Sequence, residues 1–422
     1  MFGIKNTKKV NVICDEVKVT ELLTRGVENV YPKLDFLKGR LMSGERLTLY
    51  LGIDPTGPTL HLGHGILIKK LKEFQDLGHE IILLIGDFTG MIGDPTDKSA
   101  TRKKLTREQV LENAKEYVKQ ASVFLNFKGE NPALVKYNSE WLGKMSFGDV
   151  LELSSLVTVD QMLKRDMFDN RVKEGKPIYL HEFMYPLMQG YDCVAMNVDG
   201  EIGGNDQTFN MLVGRDFLKI LKNKEKFVLT GKLLTDSAGK KMGKTEGNMV
   251  SLDQDAGEMF GKIMSWADGL IIPAFELCTY LKMEEIQEMD KKLKEGASDG
   301  INEGINPRNP RDFKFKLATE IVKIYHGEAK AKEAGEDFEK TFKKGGVPED
   351  IMEVNFAKDT RLGEILLAEG LVKSKSEFAR LVDEGAVSAV GKEAIKTHDF
   401  KISESAVWKI GKRRFIKINI KG

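Results

Sequence analysis

Between residues 46 and 85, a helical pattern lies between two short apolar runs. The runs are RLTLYLGI (46–53) and EIILLIG (80–86). Between them Leu67, Leu71 and Phe74 recur at helical spacing, and Gly78 stands where such a helix would end. A strand, a helix and a strand within about forty residues predict a βαβ unit, and continuous apolar strands are typical of a parallel sheet covered on both faces.

The same alternation continues to about residue 250. Further strand candidates are ALVKYN (133–138), a segment that begins near Asp192 and gives way through Gly203 and Gly204 to a helix, and KFVLT (226–230). We therefore predict an α/β fold with an open, doubly wound, Rossmann-like parallel sheet. Its ligands should collect at the carboxyl ends of the strands.

After residue 250 the pattern becomes helical. Helices are predicted at GEMFGKIMSWAD, KMEEIQEMDKKLKEG and NPRDFKFKLATEIVKIYHG. The last has Asn309 as N-cap and Pro310 in its first turn. A Gly-, Pro- and charge-bearing stretch follows, and the tail reads as a small α+β unit. The predicted domains are residues 1–250 with an N-terminal helical extension, an α-helical domain at 251–345, a linker at 346–359 and a small α+β domain at 360–422.

Composition restricts the class of protein. With 422 residues we expect two or three domains. Lys and Arg number 65 against 64 Asp and Glu, so any nucleic-acid surface must be a local patch. Three cysteines lie far apart without metal-site spacing, which predicts a reducing cytoplasm. The first residues do not resemble a signal peptide, and no apolar run is long enough to cross a bilayer, so we predict no membrane association.

His61 and His64 stand three apart in YLGIDPTGPTLHLGHG, just after the first strand. A metal site is one interpretation, although zinc needs three or four ligands and no other His or Cys is near in sequence. Plain packing is a second interpretation. The third is that both imidazoles lie in the first turn of a helix, where free N–H groups and the positive dipole end favour a phosphate.

A lysine-rich segment, DSAGKKMGKTEGN, occupies residues 236–248. Such charge runs are usually solvated loops. A P-loop is a rival interpretation because Gly243, Lys244 and Thr245 end like one, but that motif requires glycine where Ala238 stands.

Together, the two segments carry a family resemblance. HLGH and KMGKT, about 180 residues apart, resemble the two signatures of class I aminoacyl-tRNA synthetases. Four stretches resemble the pocket segments of the bacterial tyrosyl-tRNA synthetase family: GIDPTGPTLHLGH, GDFTGMIGDPTDKSATR, YPLMQGYDCVA and GGNDQTFN. RLGEILLAEGLVKSKSEFARLVDEGAV resembles an RNA-binding module shared with a small-subunit ribosomal protein. The resemblance covers nearly the whole chain.

The resemblance implies an enzyme that joins an amino-acid carboxylate to the α-phosphate of ATP, accompanied by Mg²⁺, and then transfers the product to tRNA. Such chemistry needs positioned cations and donors rather than a nucleophile. The residues that match the family's catalytic positions are Thr56, His61, His64, Lys98, Arg102, Lys241, Lys244 and Thr245. Those that match its ATP-binding positions are Gly52, Asp54, His61, His64, Gly204, Asp206 and Lys244.

Tyrosine selection would fall to a second set of residues. By resemblance, Tyr50 and Asp192 contact the phenolic hydroxyl, Asp94, Tyr185 and Gln189 bind the α-amino group, and Gln207 places the carboxylate. Tyr50 and Tyr185 could instead be packed aromatic residues. In GGNDQ, Asn205 stands where a small hydroxyl residue is usual in the family.

The resemblance also implies partners: L-tyrosine, ATP, tRNA(Tyr) and a second copy of the chain in a homodimer. The RNA-binding candidates in the tail are Lys373, Lys375, Arg380, Lys412, Arg413 and Arg414. Two alternatives remain open at this point. The chain could activate another amino acid such as tryptophan, or it could be an RNA-binding relative without catalysis.

Overall fold

The computed structural model describes residues 10–94, 105–235, 249–295, 309–343, 351–372, 374–390, 392–411 and 414–421. Two compact units, Met1–Ala331 and Lys332–Gly422, divide the chain. The domain extents given above stay predictions. None of the helices in the described ranges is long and apolar enough to span a membrane.

A six-stranded sheet forms the centre of the first unit. Its strands are β1 (Val27–Tyr31), β2 (Thr48–Ile53), β3 (Glu80–Ile85), β4 (Leu134–Tyr137), β5 (Gly200–Gly204) and β6 (Phe227–Gly231), in the order β1-β6-β5-β2-β3-β4. Strands β2 to β6 are parallel. The chain moves outward from β2 through β3 to β4 and from β5 to β6 toward the other edge, which confirms the doubly wound fold. The crevice at this reversal lies between the carboxyl ends of β2 and β5.

The edge strand β1 carries no sequence signal that we recognised. It pairs antiparallel with β6, and its middle residues Glu28 and Asn29 are exposed. A short edge strand buries little of either face, so it lacks the continuous apolar run that marks β3. The predicted helical extension therefore contains a strand as well.

Ten α-helices occupy the described part of the chain before residue 223. They are α1 (Glu16–Thr24), α2 (Leu34–Met42), α3 (Leu62–Asp76), α4 (Arg107–Ala121), α5 (Ser139–Leu142), α6 (Phe147–Ser154), α7 (Val159–Leu163), α8 (Asp166–Lys173), α9 (Leu180–Met196) and α10 (Thr208–Lys222). The helix predicted after the first strand is α3, and it ends as expected just before Gly78, whose φ is +92°.

One strand prediction is wrong in its extent. Asp192 does not begin a strand but lies in the last turns of α9, and the strand starts only at Gly200. Cys193 and Val194 are buried on the helix, and Asn197 ends it in the left-handed conformation with a φ of +49°. Three apolar residues after Asp192 look alike in a buried strand and in a buried helix turn, so composition alone misled the assignment.

Beyond residue 250 the first unit is helical, as predicted. The helices are α11 (Ala256–Met264), α12 (Ile271–Cys278), α13 (Met283–Glu295) and α14 (Pro310–His326), with α15 (Glu328–Lys343) following. The predicted N-cap of α14 is confirmed, because the Asn309 side chain accepts a hydrogen bond from the backbone N–H of Arg311 at 3.0 Å.

The described part of the chain from residue 351 onward, which belongs to the second unit, contains a four-stranded sheet and two helices. Its elements are β7 (Met352–Ala357), α16 (Leu362–Ala368), α17 (Lys375–Asp383), β8 (Val387–Ala389), β9 (Ala406–Ile410) and β10 (Arg414–Lys421), and the strand order is β7-β10-β9-β8. Within the predicted linker at 346–359 lies β7, which pairs in parallel with β10. Val354 and Phe356 alternate with polar residues and pack against the core of this unit, a period of two that marks a half-buried strand.

Candidate active site

The turn DPTGPTL leads from β2 into α3 and is fixed by α4. Gln120 of α4 accepts a hydrogen bond from the backbone N–H of Leu60 at 2.7 Å and donates to the carbonyl of Pro58 at 3.3 Å. Asn113 donates to the carbonyl of Pro55 at 3.0 Å. Because α4 satisfies these backbone groups, the start of α3 is held at the carboxyl end of β2.

The two histidines pack together at the start of α3. His61 is the N-cap residue, its ring centroid lies 3.9 Å from that of His64, and its backbone N–H donates to Nδ1 of His64 at 3.2 Å. Since Nδ1 of His64 accepts, the neutral ring carries its proton on Nε2. Among the described residues, no group of three or more His, Cys, Asp or Glu side chains is arranged to hold a metal ion. The two imidazoles thus lie in the first turn of α3, and their binding of an anion stays a prediction.

Residues on both sides of the lysine-rich segment lie against the start of α3. Lys241, Lys244 and Thr245 lie outside the described residues, as do Lys98 and Arg102. Beyond the segment, Val250 accepts from the backbone N–H of Leu62 at 3.0 Å, and Leu252 donates to the carbonyl of Leu60 at 2.9 Å. A cleft at the start of α3 is lined from both flanks; its walls include His61, Gly63, Lys232, Leu234, Met249 and Val250.

Asp54 connects β2 to two neighbouring elements. Its Oδ2 accepts from the Tyr185 hydroxyl of α9 at 2.8 Å, and its Oδ1 accepts from the Thr89 hydroxyl at 2.6 Å. A side chain at Gly86 would collide with Asp54, since a Cβ there would lie 1.9 Å from Oδ1. The close approach allowed by Gly86 places Tyr185, a predicted α-amino ligand, over the end of β2.

Asp94, Gln207 and Arg165 form a second polar group beside the crevice. Asp94 accepts from Nε2 of Gln207 at 2.7 Å and pairs with Nη2 of Arg165 at 3.4 Å. Gln207 in turn accepts from Asn210 at 2.9 Å. Two predicted substrate ligands are thus brought together. Arg165, which sequence reasoning missed, carries no motif signal because it lies in the charged stretch KRDMFDNR, which matches no motif.

Tyr50 of β2 and Asp192 of α9 are both buried. Tyr50 is 1% exposed, and among the described residues its hydroxyl has no hydrogen-bond partner. Asp192 is 3% exposed and accepts from Nε1 of Trp141 at 2.7 Å and from Asn138 at 3.4 Å. Burial raises the pKa of Asp192 well above its ordinary value, although both hydrogen bonds oppose the shift. Burial also raises the pKa of the Tyr50 phenol, with the charge of Glu201 adding to it.

Gln189 lies one turn of α9 before Asp192 and has a partner on β5. Its Nε2 donates a long hydrogen bond of 3.5 Å to Oε1 of Glu201, and its Oε1 is buried with no partner among the described residues. Glu201 forms an ion pair with Lys226, and both side chains are almost inaccessible to solvent. This buried ion pair, next to Gln189, was not predicted from sequence.

The remaining predicted residues are distributed as follows. Gly52 is exposed on β2, Thr56 lies half-buried in the turn after it, and Asp206 lies in the short turn that follows Gly204. In the second unit, Lys375 and Arg380 are exposed on α17, whereas Arg414 pairs with Glu377 at 3.0 Å. Lys373, Lys412 and Arg413 lie outside the described residues.

Comparison with known proteins places this site in a family. Residues 42–343 match the family model described as "tRNA synthetases class I (W and Y)". The tyrosine–tRNA ligase of Carboxydothermus hydrogenoformans is 44% identical over 420 residues, covering 96% of this chain and 98% of that protein. The chain belongs to the class I tyrosyl-tRNA synthetase family. The tyrosine–tRNA ligase of Thermotoga maritima is 41% identical over 94% of this chain and 96% of its own length.

Solved structures of the class I tyrosyl-tRNA synthetase family share the fold. A C-terminally truncated mitochondrial tyrosyl-tRNA synthetase from Coccidioides posadasii superposes with a TM-score of 0.61 at 25% identity, covering 76% of this chain and 92% of that one. The tyrosyl-tRNA synthetase of Archaeoglobus fulgidus, solved with L-tyrosine, gives a TM-score of 0.59 at 21% identity over 76% of this chain and 100% of that chain. The second likeness concerns the fold alone.

Proposed function

We propose that this chain is a tyrosine–tRNA ligase. In its first reaction a carboxylate oxygen of L-tyrosine attacks the α-phosphorus of ATP, the bond to the bridging oxygen breaks, and pyrophosphate leaves. In its second reaction a hydroxyl of the 3′-terminal ribose of tRNA(Tyr) attacks the tyrosyl carbonyl, and AMP leaves. Family membership at more than 40% identity over nearly the whole chain supports the class of reaction.

One observation carries the choice of amino acid. The phenol of Tyr50 and the carboxyl of Asp192 are buried polar groups in the predicted amino-acid pocket, and among the described residues the Tyr50 hydroxyl lacks a partner. A buried group without a partner costs free energy, and a ligand hydroxyl that pairs with it recovers that cost. An indole or a phenyl ring offers no such hydroxyl, so these two buried groups favour tyrosine over tryptophan and phenylalanine.

The α-amino group of tyrosine would bind near the carboxyl end of β2. Asp94 and Tyr185 lie around the carboxyl end of β2, and Gln189 presents an Oε1 acceptor that has no partner among the described residues. An ammonium group donates three hydrogen bonds and needs acceptors of this kind. These contacts would hold the tyrosine carboxylate beside the start of α3.

ATP would bind along that helix start. The first N–H groups of α3 and the two imidazoles suit phosphate oxygens, and Asp206 after β5 suits a ribose hydroxyl. Mg²⁺ enters on the phosphates of ATP, as part of that substrate. Lys98, Arg102, Lys241, Lys244 and Thr245 are proposed to neutralise the charge that builds on the departing pyrophosphate, where one well-placed donor contributes about 10²–10³ in rate.

The tRNA would use the second unit as well. Lys375 and Arg380 on α17 are exposed cations. Exposed Lys and Arg side chains are the groups by which a protein neutralises the phosphates of a nucleic acid. Arg414 is the weaker candidate of the three described residues, because its 3.0 Å pair with Glu377 is closer than the 4.0 Å pair of Arg380 with Glu384, and its side chain is less exposed. We also propose a homodimer and a cytoplasmic location, where tRNA and ATP are available.

The test is amino-acid-dependent exchange of pyrophosphate into ATP, run separately with all twenty amino acids. We expect exchange with tyrosine and at least about 10²-fold slower exchange with phenylalanine and tryptophan, because those side chains leave the buried hydroxyl site unpaired. Exchange that depends on tryptophan and ignores tyrosine would contradict the proposed substrate. Absence of exchange with every amino acid would favour an RNA-binding relative without catalysis.

A further inference from the structure

Arg165 precedes α8 and is a buried guanidinium with an unused donor. Its side chain is 5% exposed, and among the described residues Nη1 has no hydrogen-bond partner. Nη2 pairs with Asp94 at 3.4 Å. The guanidinium carbon lies 5.8 Å from the ring centre of Phe168 and 5.6 Å from that of Phe209. Arginine favours contact with aromatic faces, so these rings fix the direction of the fork.

The surroundings of Arg165 indicate what the unused donor meets. Burial lowers the pKa of Arg165, and the neighbouring groups that oppose this shift are Asp94, Tyr185 and Asp206. Asp94 and Tyr185 belong to the proposed α-amino site, and Asp206 belongs to the proposed ribose site. In an aminoacyl adenylate, the group between the α-amino carbon and the ribose is the carboxyl–phosphate linkage.

We infer that Nη1 of Arg165 donates to an anionic oxygen of the reacting carboxylate and α-phosphate during tyrosine activation. This inference rests on the proposed function, and it adds a cation in the body of the fold to the proposed cations Lys98, Arg102, Lys241 and Lys244. A buried donor at this point gains strength from the low local dielectric and from its fixed orientation. The ion pair with Asp94 then holds Arg165 in place while Nη1 meets the substrate.

Three variants separate this role from simple positioning of Asp94. Arg165→Lys keeps a charge for Asp94 but loses the second nitrogen of the fork. Arg165→Gln removes the charge. Lys164→Gln is the matched control, because it removes the neighbouring positive charge at an exposed position whose partner is Asp160. Thermal unfolding of each variant verifies that it is folded.

The measurements are single-turnover adenylate formation at saturating substrates and the dissociation constants of tyrosine and tyrosinol, which lacks the carboxylate. We expect Arg165→Lys and Arg165→Gln to slow activation by about 10²–10³-fold and Lys164→Gln to leave it unchanged. Weaker binding of tyrosine but not tyrosinol would assign the contact to the carboxylate. Unchanged binding of both with slow activation would assign it to the α-phosphate. Either pattern supports the inference.

Other results overturn it. If both variants bind tyrosine and tyrosinol equally weakly but activate at the wild-type rate when saturated, Arg165 only positions Asp94. If Arg165→Lys is folded and activates as fast as the wild type, Nη1 has no role. Failure of the wild-type protein itself to activate tyrosine would instead refute the proposed function, and this inference with it.

Discussion

At the scale of single residues, His79 shows how burial outside the site controls acid stability. Its side chain is fully buried, Nδ1 accepts from the backbone N–H of Leu47 at 3.2 Å, and burial lowers its pKa to about 4. An unfolded histidine titrates near 6.5. Between these values the unfolded chain binds a proton that the folded chain does not, so folding stability rises with pH through this window.

Replacing His79 by Asn should therefore flatten the acid dependence of stability. Asn can still accept from Leu47 but does not titrate. Between pH 7 and pH 4 we expect the wild type to lose about 3 kcal/mol more of its unfolding free energy than the variant, from a difference of about 2.5 in pKa. Urea unfolding at pH 7, 5.5 and 4 measures this difference. His181→Asn, which removes an exposed histidine of α9, is the control. Parallel acid profiles for wild type and His79→Asn would refute the argument.

The sequence predicted the position of a residue in the fold where a motif contained that residue. His61 and His64 lie together at a helix start, as their spacing indicated. Trp141, which holds Asp192, and Arg165 were missed. Each acts on a partner about fifty to seventy residues away in the chain, and only the sheet topology brings them together. Such partners leave no local pattern for sequence reasoning to find.

At the scale of elements, the Glu201–Lys226 ion pair joins β5 to the residue before β6 beneath Gln189. Lys226 and Glu201 are 0% and 3% exposed, and Lys226 also lies 5.9 Å from the centre of the Tyr50 ring. Removing one partner of a buried pair leaves an uncompensated charge, whereas removing both charges together costs much less.

A double-mutant cycle tests this coupling. We expect Lys226→Met or Glu201→Gln alone to lower the unfolding free energy by about 3–5 kcal/mol, and the double variant to regain most of that loss. Urea unfolding supplies all four free energies. Lys173→Met is the control, because its pair with Asp169 is exposed and should contribute at most about 1 kcal/mol. Additive losses in the double variant would show that the two charges act independently.

Element prediction failed where a strand carries no apolar run in its sequence. β2, β3, β4 and β6 were found because apolar runs of strand length are bounded by Gly or polar turns. β5 was placed correctly only at its end, since GEIGG has almost no side chains to show a pattern. β1 was missed because it lies at an edge and pairs with a strand two hundred residues away.

At the scale of the whole molecule, the first unit exposes large apolar side chains on four consecutive helices. They are Phe147 and Leu151 on α6, Val159 on α7, Val172 on α8, and Leu180 at the start of α9 with Tyr179 beside it; each is between 55% and 79% exposed. α6 contacts α9, and α7 contacts α8. Apolar exposure concentrated on neighbouring helices marks an interaction surface, and we propose a second copy of the chain as its partner, in a closed two-fold interface.

Leu180→Asp tests whether this surface forms the proposed homodimer. Leu180 is 79% exposed and is the first residue of α9, where an acidic side chain favours the helix dipole, so the substitution should leave the monomer folded. A charge buried in an apolar interface is costly. In sedimentation velocity we expect the wild type at twice the chain mass of 47.4 kDa and the variant at that mass itself. Val17→Asp, at a position 76% exposed on α1, should remain dimeric. A wild type that sediments as a monomer, or a Leu180→Asp variant that stays dimeric, would show that these helices serve another purpose.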